Sequence, residues 1–147
     1  MEYPTLAQGR YEIRSRIGEG GMASVFHTFD TRLQMDRAVK ILRPEHAFRK
    51  SVRERFEAEA RTMVKLYHKH IVTVYDIVSY GRTVFMVMEL LTGGSLMDRI
   101  HKFGPLHPKM AINAIIKMCE AIGHAHKHGV IHRDIKPHNM LISKDGL

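Results

Sequence analysis

The chain has 147 residues, of which 44% are hydrophobic and 26% charged, ordinary values for a globular protein of one domain or two small lobes. Its single cysteine excludes an internal disulfide and favours a reducing compartment, and no apolar run reaches the ~18 residues of a membrane span. The net charge of +8 is spread over both halves of the chain, which favours a basic surface over a nucleic-acid interface. We therefore expect a soluble, cytoplasmic protein with no membrane segment and no nucleic-acid partner.

The first part of the chain is predicted to form β-strands. Residues 10–18 alternate polar and apolar side chains, which is the period-two pattern of a half-buried strand. A glycine-rich turn follows, and residues 23–30 repeat the alternation, so the two segments are expected to form a hairpin. A third strand covers residues 36–42, DRAVKIL, and Pro44 ends it.

The following elements are mainly helical. Residues 51–67 carry an apolar stripe with helical spacing, and residues 70–91 read as two strands joined at Tyr80-Gly81-Arg82. After a short helix, residues 108–128 form a long helix that Gly129 ends. This order predicts an α+β fold in two lobes, residues 1–91 and 92–147, with the boundary near residues 91–94.

The turn IGEGGMASV contains the first candidate site. Backbone without side chains approaches a phosphate closely, and its N–H groups can surround one. Gly18 and Gly20 have the appropriate spacing, but Ala23 stands where a third glycine is expected. Taken alone, the pattern is better explained by an ordinary hairpin turn.

Two charged residues lie where apolar residues are expected. Lys40 is in the middle of a strand, on the face of Ala38, and Glu59 falls on the apolar stripe of the first helix. An ion pair between them would resolve both problems, either as a structural link or to direct the ammonium toward an anion. A local pair of Glu59 with Arg55 is the alternative.

The segment GVIHRDIKPHNMLI, residues 129–142, concentrates polar side chains between apolar flanks that are predicted to be buried. Asp134 suits a general base, Lys136 suits neutralisation of a phosphoryl group, and the amide oxygen of Asn139 suits magnesium. Mutual hydrogen bonding within a buried loop is the alternative for each residue taken singly.

The histidine-rich run HAHKHGVIH was tested as a zinc site. His124, His126 and His128 are two residues apart on a helix and so point to different faces, and no cysteine completes a ligand set. We interpret these histidines as exposed or capping residues.

Taken together, these motifs resemble the Hanks-type protein kinases, and most of all the serine/threonine kinases common in bacteria. GEGGMASV is similar to G-x-G-x-x-G-x-V, RAVK to V-A-I-K, and HRDIKPHN to H-R-D-L-x-x-x-N. Ala23 replaces the last glycine, and Arg37 replaces the valine. The resemblance covers residues 10–147 and implies a small lobe with a five-stranded antiparallel sheet and one helix, followed by a mainly helical large lobe.

The resemblance implies ATP and Mg²⁺ as cofactors and protein Ser/Thr hydroxyls as substrates. Asp134 and Lys136 would act on the hydroxyl and the γ-phosphate, Asn139 would bind the metal, and Lys40, positioned by Glu59, would hold the α- and β-phosphates. The residues implied around the nucleotide are Ile17, Gly18, Glu19, Gly20, Gly21, Val25, Ala38, Met88, Glu89, Leu91 and Leu141. Arg133 would bind the phosphate group of a phosphorylated activation loop.

The D-F-G motif, which supplies the main magnesium ligand of this family, does not occur in the sequence. We therefore expect the 147-residue chain alone to be inactive or very weakly active. A non-catalytic nucleotide-binding or interaction module is the alternative function. The long helix is expected to expose part of its apolar stripe, which would favour self-association.

Overall fold

A computed structural model describes residues 5–144 and 146. The chain divides into two compact units. The first holds the chain up to Lys65 together with Val72–Leu90, and the second holds Leu66–Ile71 together with the chain from Leu91 onward. The lobe boundary at residue 91 stays a prediction, and the units differ from it by the segment 66–71, which belongs with the second.

An antiparallel sheet of six strands, in the order β1-β2-β3-β4-β6-β5, dominates the first unit. Its strands are β1 (Thr5–Leu6), β2 (Tyr11–Glu19), β3 (Ala23–Asp30), β4 (Met35–Leu42), β5 (Val74–Tyr80) and β6 (Thr83–Met88). The predicted hairpin of β2 and β3 is confirmed, and β4 ends at Leu42, just before Pro44.

The first unit contains one strand and one helix more than the predicted five strands and one helix. The additional strand β1 has only two residues, too few to show a period-two pattern, and it pairs with Tyr11 and Glu12. The additional helix α1 (Pro44–Ala47) begins at the proline itself, whose fixed φ suits the first helical position. The predicted helix 51–67 is α2 (Lys50–Val64).

Each face of the sheet has its own apolar cluster. On one face, α2 buries Phe56 and Ala60 against Leu42, Val84 and Met86. The other face is built on Val39, Phe85, Val87 and Tyr11, whose ring meets that of Phe85 edge-on at 5.8 Å. Because side chains alternate along a strand, β4 contributes to both clusters, and Lys40 falls on the face covered by α2.

Helices α3 (Leu96–Phe103) and α4 (Pro108–Lys127) belong to the second unit. Ser95 and Asp98 form a reciprocal capping box at the start of α3. Gly129, with φ of 77°, follows the end of α4 as predicted. A 3₁₀ turn (Pro137–Asn139) comes next, and residues 140–142 then pair with 93–96 through hydrogen bonds such as Leu96 N to Met140 O at 2.8 Å.

Much apolar surface of the second unit is exposed. Ile112, Ile115 and Ile116 of α4 are each more than half exposed, so the expected exposure of the apolar stripe is confirmed.

The predicted burial of the flanks of segment 129–142 is wrong, because Ile131 and Leu141 are 66% and 47% exposed. Few elements among the described residues pack against this segment. None of the helices in the described part of the chain is long and apolar enough to cross a bilayer.

Candidate functional site

The glycine-rich turn joins β2 to β3. Gly20 N donates to Ala23 O at 2.8 Å, which closes the turn, and a side chain added at Gly21 would meet no atom within 4 Å. Open space therefore lies beside the turn. The carboxylate of Glu19, at the end of β2, pairs with Arg43 at 3.0 Å and with Arg16 at 3.6 Å.

The strand register brings several predicted residues onto one face of the sheet. Gly18 lies opposite Val25, Val25 opposite Lys40, and Lys40 opposite Met86. Two positions along the same face, Ala38 lies opposite Met88. This row of paired residues therefore places the glycine-rich turn, Lys40 and Met88, the last residue of β6, on one continuous surface.

Lys40 is half-buried in this row, and no ion pair within 4.0 Å joins it to any residue of the described chain. An ammonium that is partly withdrawn from water and lacks a counter-charge is energetically unfavourable. It is therefore a suitable anchor for an anion.

The prediction that Glu59 lies on the buried stripe of the first helix is wrong. Its side chain is exposed, and the structure pairs it neither with Lys40 nor with Arg55. The buried side of α2 centres on Phe56 and Ala60, and position 59 lies roughly 80° around the axis from that centre, so an unpaired carboxylate can remain in water. Glu57 links this helix to the sheet instead, accepting a hydrogen bond from Ser79 Oγ at 2.7 Å. The positioning role of Glu59 stays a prediction.

The segment after β6 contains the residues expected at the adenine edge. The backbone N–H of Glu89 donates to Thr73 O at 2.9 Å, and its carboxylate accepts from Thr73 N at 3.2 Å. Since that N–H is already used, only the carbonyl of Glu89 is available to a ligand. Leu91, half-buried, and Leu141 belong to the second unit, where Leu141 pairs with Ser95.

The polar residues of segment 129–142 converge on Asp134. Asn139 Nδ2 donates to the carbonyl oxygen of Asp134 at 2.8 Å and to its Oδ2 at 3.2 Å, and Lys136 Nζ lies 3.4 Å from Oδ2. The hydrogen bond from Asn139, followed by that from Lys136, holds the pKa of the Asp134 carboxyl below its ordinary value. Asp134 is therefore ionised at neutral pH and able to accept a proton.

The backbone beside Asp134 is unusual. Arg133 has φ of 70°, a left-handed conformation that non-glycine residues seldom adopt, and His132 Nδ1 accepts a hydrogen bond from Asp134 N at 3.1 Å. Backbone held in such a conformation is frequently found at functional sites. The arrangement turns the chain sharply at the point where Asp134 is presented.

The family model for the protein kinase domain matches residues 11–147. The chain belongs to the protein kinase family. The predicted resemblance is thereby confirmed over nearly the whole sequence.

Curated relatives of this kinase chain are bacterial serine/threonine-protein kinases. PrkC of Bacillus subtilis is 43% identical over 94% of this chain, and PknB of Mycolicibacterium smegmatis is 41% identical over 99% of it. The chain spans 21% and 24% of the lengths of these two relatives. It therefore corresponds to a small part of each.

A crystal structure of a point mutant of the Mycobacterium tuberculosis PknI kinase domain has a similar fold, with a TM-score of 0.77 and 24% sequence identity. The match covers 91% of this chain and 55% of that one. At this level of identity the similarity establishes the kinase-like fold.

Sequence reasoning missed three features of this kinase chain. These are the contacts of Arg43 with the glycine-rich turn, the bond between Glu57 and Ser79, and a histidine cluster in the second unit. In the cluster, the ring of His124 lies 4.5 Å from that of His128 and 5.1 Å from that of His68. The i, i+4 spacing of His124 and His128 was a visible signal for their contact, whereas nothing in the sequence pointed to His68.

The interpretation of the histidine run was partly correct. His128 caps the C-terminus of α4 and bonds through Nδ1 to His124 O at 2.9 Å, and His126 is exposed. His124 is half-buried instead, and burial, followed by the neighbouring His128 and His68, holds its pKa below the ordinary value. No group of three or more His, Cys, Asp or Glu side chains is arranged to hold a metal within residues 5–144 and 146.

Proposed function

We propose that this chain is the ATP-binding and catalytic-loop part of a serine/threonine protein kinase, which transfers the γ-phosphoryl group of ATP to protein hydroxyls. The convergence of Lys136 and Asn139 on an ionised Asp134 is the observation that carries the proposal. A carboxylate held by a cation and an amide can orient a hydroxyl and receive its proton. Lys136 would neutralise charge on the transferred group.

ATP would be held by the first unit. The unpaired ammonium of Lys40 would bind the α- and β-phosphates, and the turn from Gly18 to Val25 would cover them. The carbonyl of Glu89 would meet the adenine edge, next to the apolar surface of Ala38 and Met88. These roles agree with the shared face of the sheet described above.

The residues present fit one part of a magnesium site. Since the side-chain nitrogen of Asn139 donates to Asp134, its amide oxygen is left for a hard cation, and oxygen ligands of this kind suit Mg²⁺. When bound, Mg²⁺ would neutralise charge on the phosphates. Asn139 is the residue of this chain proposed to hold it.

The second candidate function is nucleotide binding without catalysis. The 147-residue sequence contains no D-F-G motif, which supplies the main magnesium ligand of the family, and this favours the second function for the isolated chain. We therefore propose that this polypeptide alone binds ATP but transfers phosphate very weakly. The exposed stripe of Ile112, Ile115 and Ile116 would promote its self-association, and its exposed free Cys119 suits a reducing cytoplasmic environment.

A transfer assay tests the proposal on the full-length gene product and on the 147-residue chain in parallel. Radiolabelled ATP and a generic basic protein are used as substrates, and Asp134→Asn is the matched variant. We expect the full-length protein to incorporate the radiolabel and the substitution to abolish that incorporation. Incorporation that survives Asp134→Asn would contradict the role of Asp134, and robust transfer by the short chain would contradict its assignment as a weak enzyme.

A further inference from the structure

Arg43, the first residue after β4, contacts the glycine-rich turn at three positions. Its Nη1 lies 3.0 Å from Glu19 Oε1, its Nη2 donates to the carbonyl oxygen of Gly21, and its backbone N donates to Met22 O at 2.9 Å. Its Nε lies 3.4 Å from a carboxylate oxygen of Glu45, near enough for ion pairing but without hydrogen-bond geometry. The guanidinium thus makes hydrogen bonds to Glu19 and Gly21 and ion pairs with two carboxylates, while its Nε has no hydrogen-bond partner.

The turn has little else to hold it. Its own closing bond runs from Gly20 N to Ala23 O, and an added side chain at Gly21 would touch nothing within 4 Å. Two consecutive glycines also lose more conformational freedom on ordering than any other residues would. Contacts from outside the turn must therefore supply most of its order.

Arg43 is better placed to supply that order than the other cation nearby. An isolated ion pair on the surface contributes little, and the pair of Arg16 with Glu19 is of this kind, since both side chains are about half exposed. The side chain of Arg43 is only 25% exposed and binds both a carboxylate and a backbone carbonyl of the turn. Its planar fork matches two acceptors at once, which a lysine cannot do.

We propose that Arg43 is a positioning residue that fixes the glycine-rich turn in the conformation used to bind a nucleoside triphosphate. The inference rests on the proposed nucleotide role of this turn. Arg43 acts through geometry, by holding the carbonyl of Gly21, and through charge, by neutralising the Glu19 carboxylate that would otherwise repel the phosphates. Its contribution therefore increases with the number of phosphates on the ligand.

Hydrogen exchange and nucleotide affinity together test the proposal. Arg43→Gln is expected to speed amide exchange at residues 18–22 by about tenfold and to weaken ATP binding by a similar factor, with adenosine binding unchanged. Arg43→Lys is expected to restore part of the ATP affinity, because it keeps the ion pair but loses the fork. Arg16→Gln, which removes a positive charge from the same carboxylate, is the matched control and is expected to change neither measurement appreciably.

Three results would overturn the proposal: unchanged exchange in the turn, faster exchange with undiminished ATP affinity, or equal losses of ATP and adenosine binding. Glu19→Gln provides a second test should Arg43→Gln fail to fold, since it removes only the carboxylate partner. Its expected result is faster exchange in the turn, and unchanged exchange counts against the proposal. A wild-type chain that binds no nucleotide would refute the proposed function, whereas the exchange data would still decide whether Arg43 orders the turn.

Discussion

Asn139 holds Asp134 at two points, through the carbonyl oxygen at 2.8 Å and the carboxylate at 3.2 Å. One amide group thus fixes both the backbone and the side chain of the proposed base. Because these bonds favour the ionised carboxylate, the amide also lowers the pKa of the group it positions. Orientation and charge state at this site depend on the same residue.

We predict that Asn139→Ala raises the pKa of the Asp134 carboxyl toward its ordinary value, since the largest stabilising hydrogen bond is lost. Lys136→Gln should also raise it, because both the hydrogen bond and the positive charge of the ammonium are lost. Carbon-detected NMR titration of Asp134 is the measurement. Asn113→Ala, at an exposed position of α4, is the control, and a titration curve of Asp134 unmoved by Asn139→Ala would contradict the prediction.

Lys40→Met should weaken ATP binding by roughly tenfold to a hundredfold while leaving adenosine binding nearly unchanged. The reason is that Lys40 supplies a charge to the phosphates, whereas methionine keeps much of its apolar stem in the row between Val25 and Met86. Isothermal titration calorimetry with both ligands measures the difference. Lys50→Met, at an exposed position that pairs with Glu54, should affect neither ligand. Equal losses for ATP and adenosine would rule out a phosphate-specific role.

The sequence was sufficient to predict the longer elements of the first unit, although not the short β1 and α1. Alternation in residues 10–18 and 23–30 gave the hairpin, and the position of Lys40 on its strand gave the face on which it lies. The order of the motifs also predicted the family. These features depend on local periodicity and on residue types at short spacing, which a single sequence displays directly.

Contacts between distant segments were not predictable in the same way. Arg43 is 24 residues from Glu19 along the chain, and Ser79 is 22 from Glu57. Whether such residues meet depends on strand register and on helix rotation. Glu57 and Glu59 lie roughly 160° apart around α2, on opposite sides of its apolar stripe, and the stripe alone does not define which of them reaches the sheet.

The stability of the second unit should fall in mild acid. The pKa of His70 is lowered by burial and by Lys69 and Lys117, with Glu120 opposing, and that of His124 is lowered by burial, His128, His68 and Lys127. A depressed histidine pKa means that folding favours the neutral form, so stability is fully present above the unfolded pKa of about 6.5 and is lost as the pH falls below it.

Urea unfolding at about pH 7.5 and at about pH 5.5 measures this effect. The protein should unfold at a lower urea concentration at the acidic pH. His124→Gln should reduce the difference between the two midpoints, because one of the closely spaced rings no longer takes up a proton. His126→Gln, exposed on the same helix, should leave the difference intact. A difference unaffected by His124→Gln would show that the cluster does not cause it.

Two glycine substitutions should have opposite effects on stability. A side chain at Gly93 would overlap the carbonyl oxygen of Ile142, a backbone atom that cannot easily move, so Gly93→Ala should destabilise the second unit. Gly123 lies inside α4 with open space beside it, and Gly123→Ala should stabilise by about 0.5–1 kcal/mol. Thermal unfolding followed by circular dichroism measures both, and a Gly93→Ala protein as stable as the wild type would contradict the first.

The pairing of residues 93–96 with 140–142 also bears on the order of folding. It closes a loop of roughly 50 residues that contains both α3 and α4. The chain must lose the conformational entropy of that loop before the ladder gains any hydrogen bond. The helices can form from local contacts, so we expect them to be structured in the transition state and the ladder to join last. The loop bearing Asp134 adjoins the ladder, and the proposed catalytic residues would then be among the final parts of the chain to take their native arrangement.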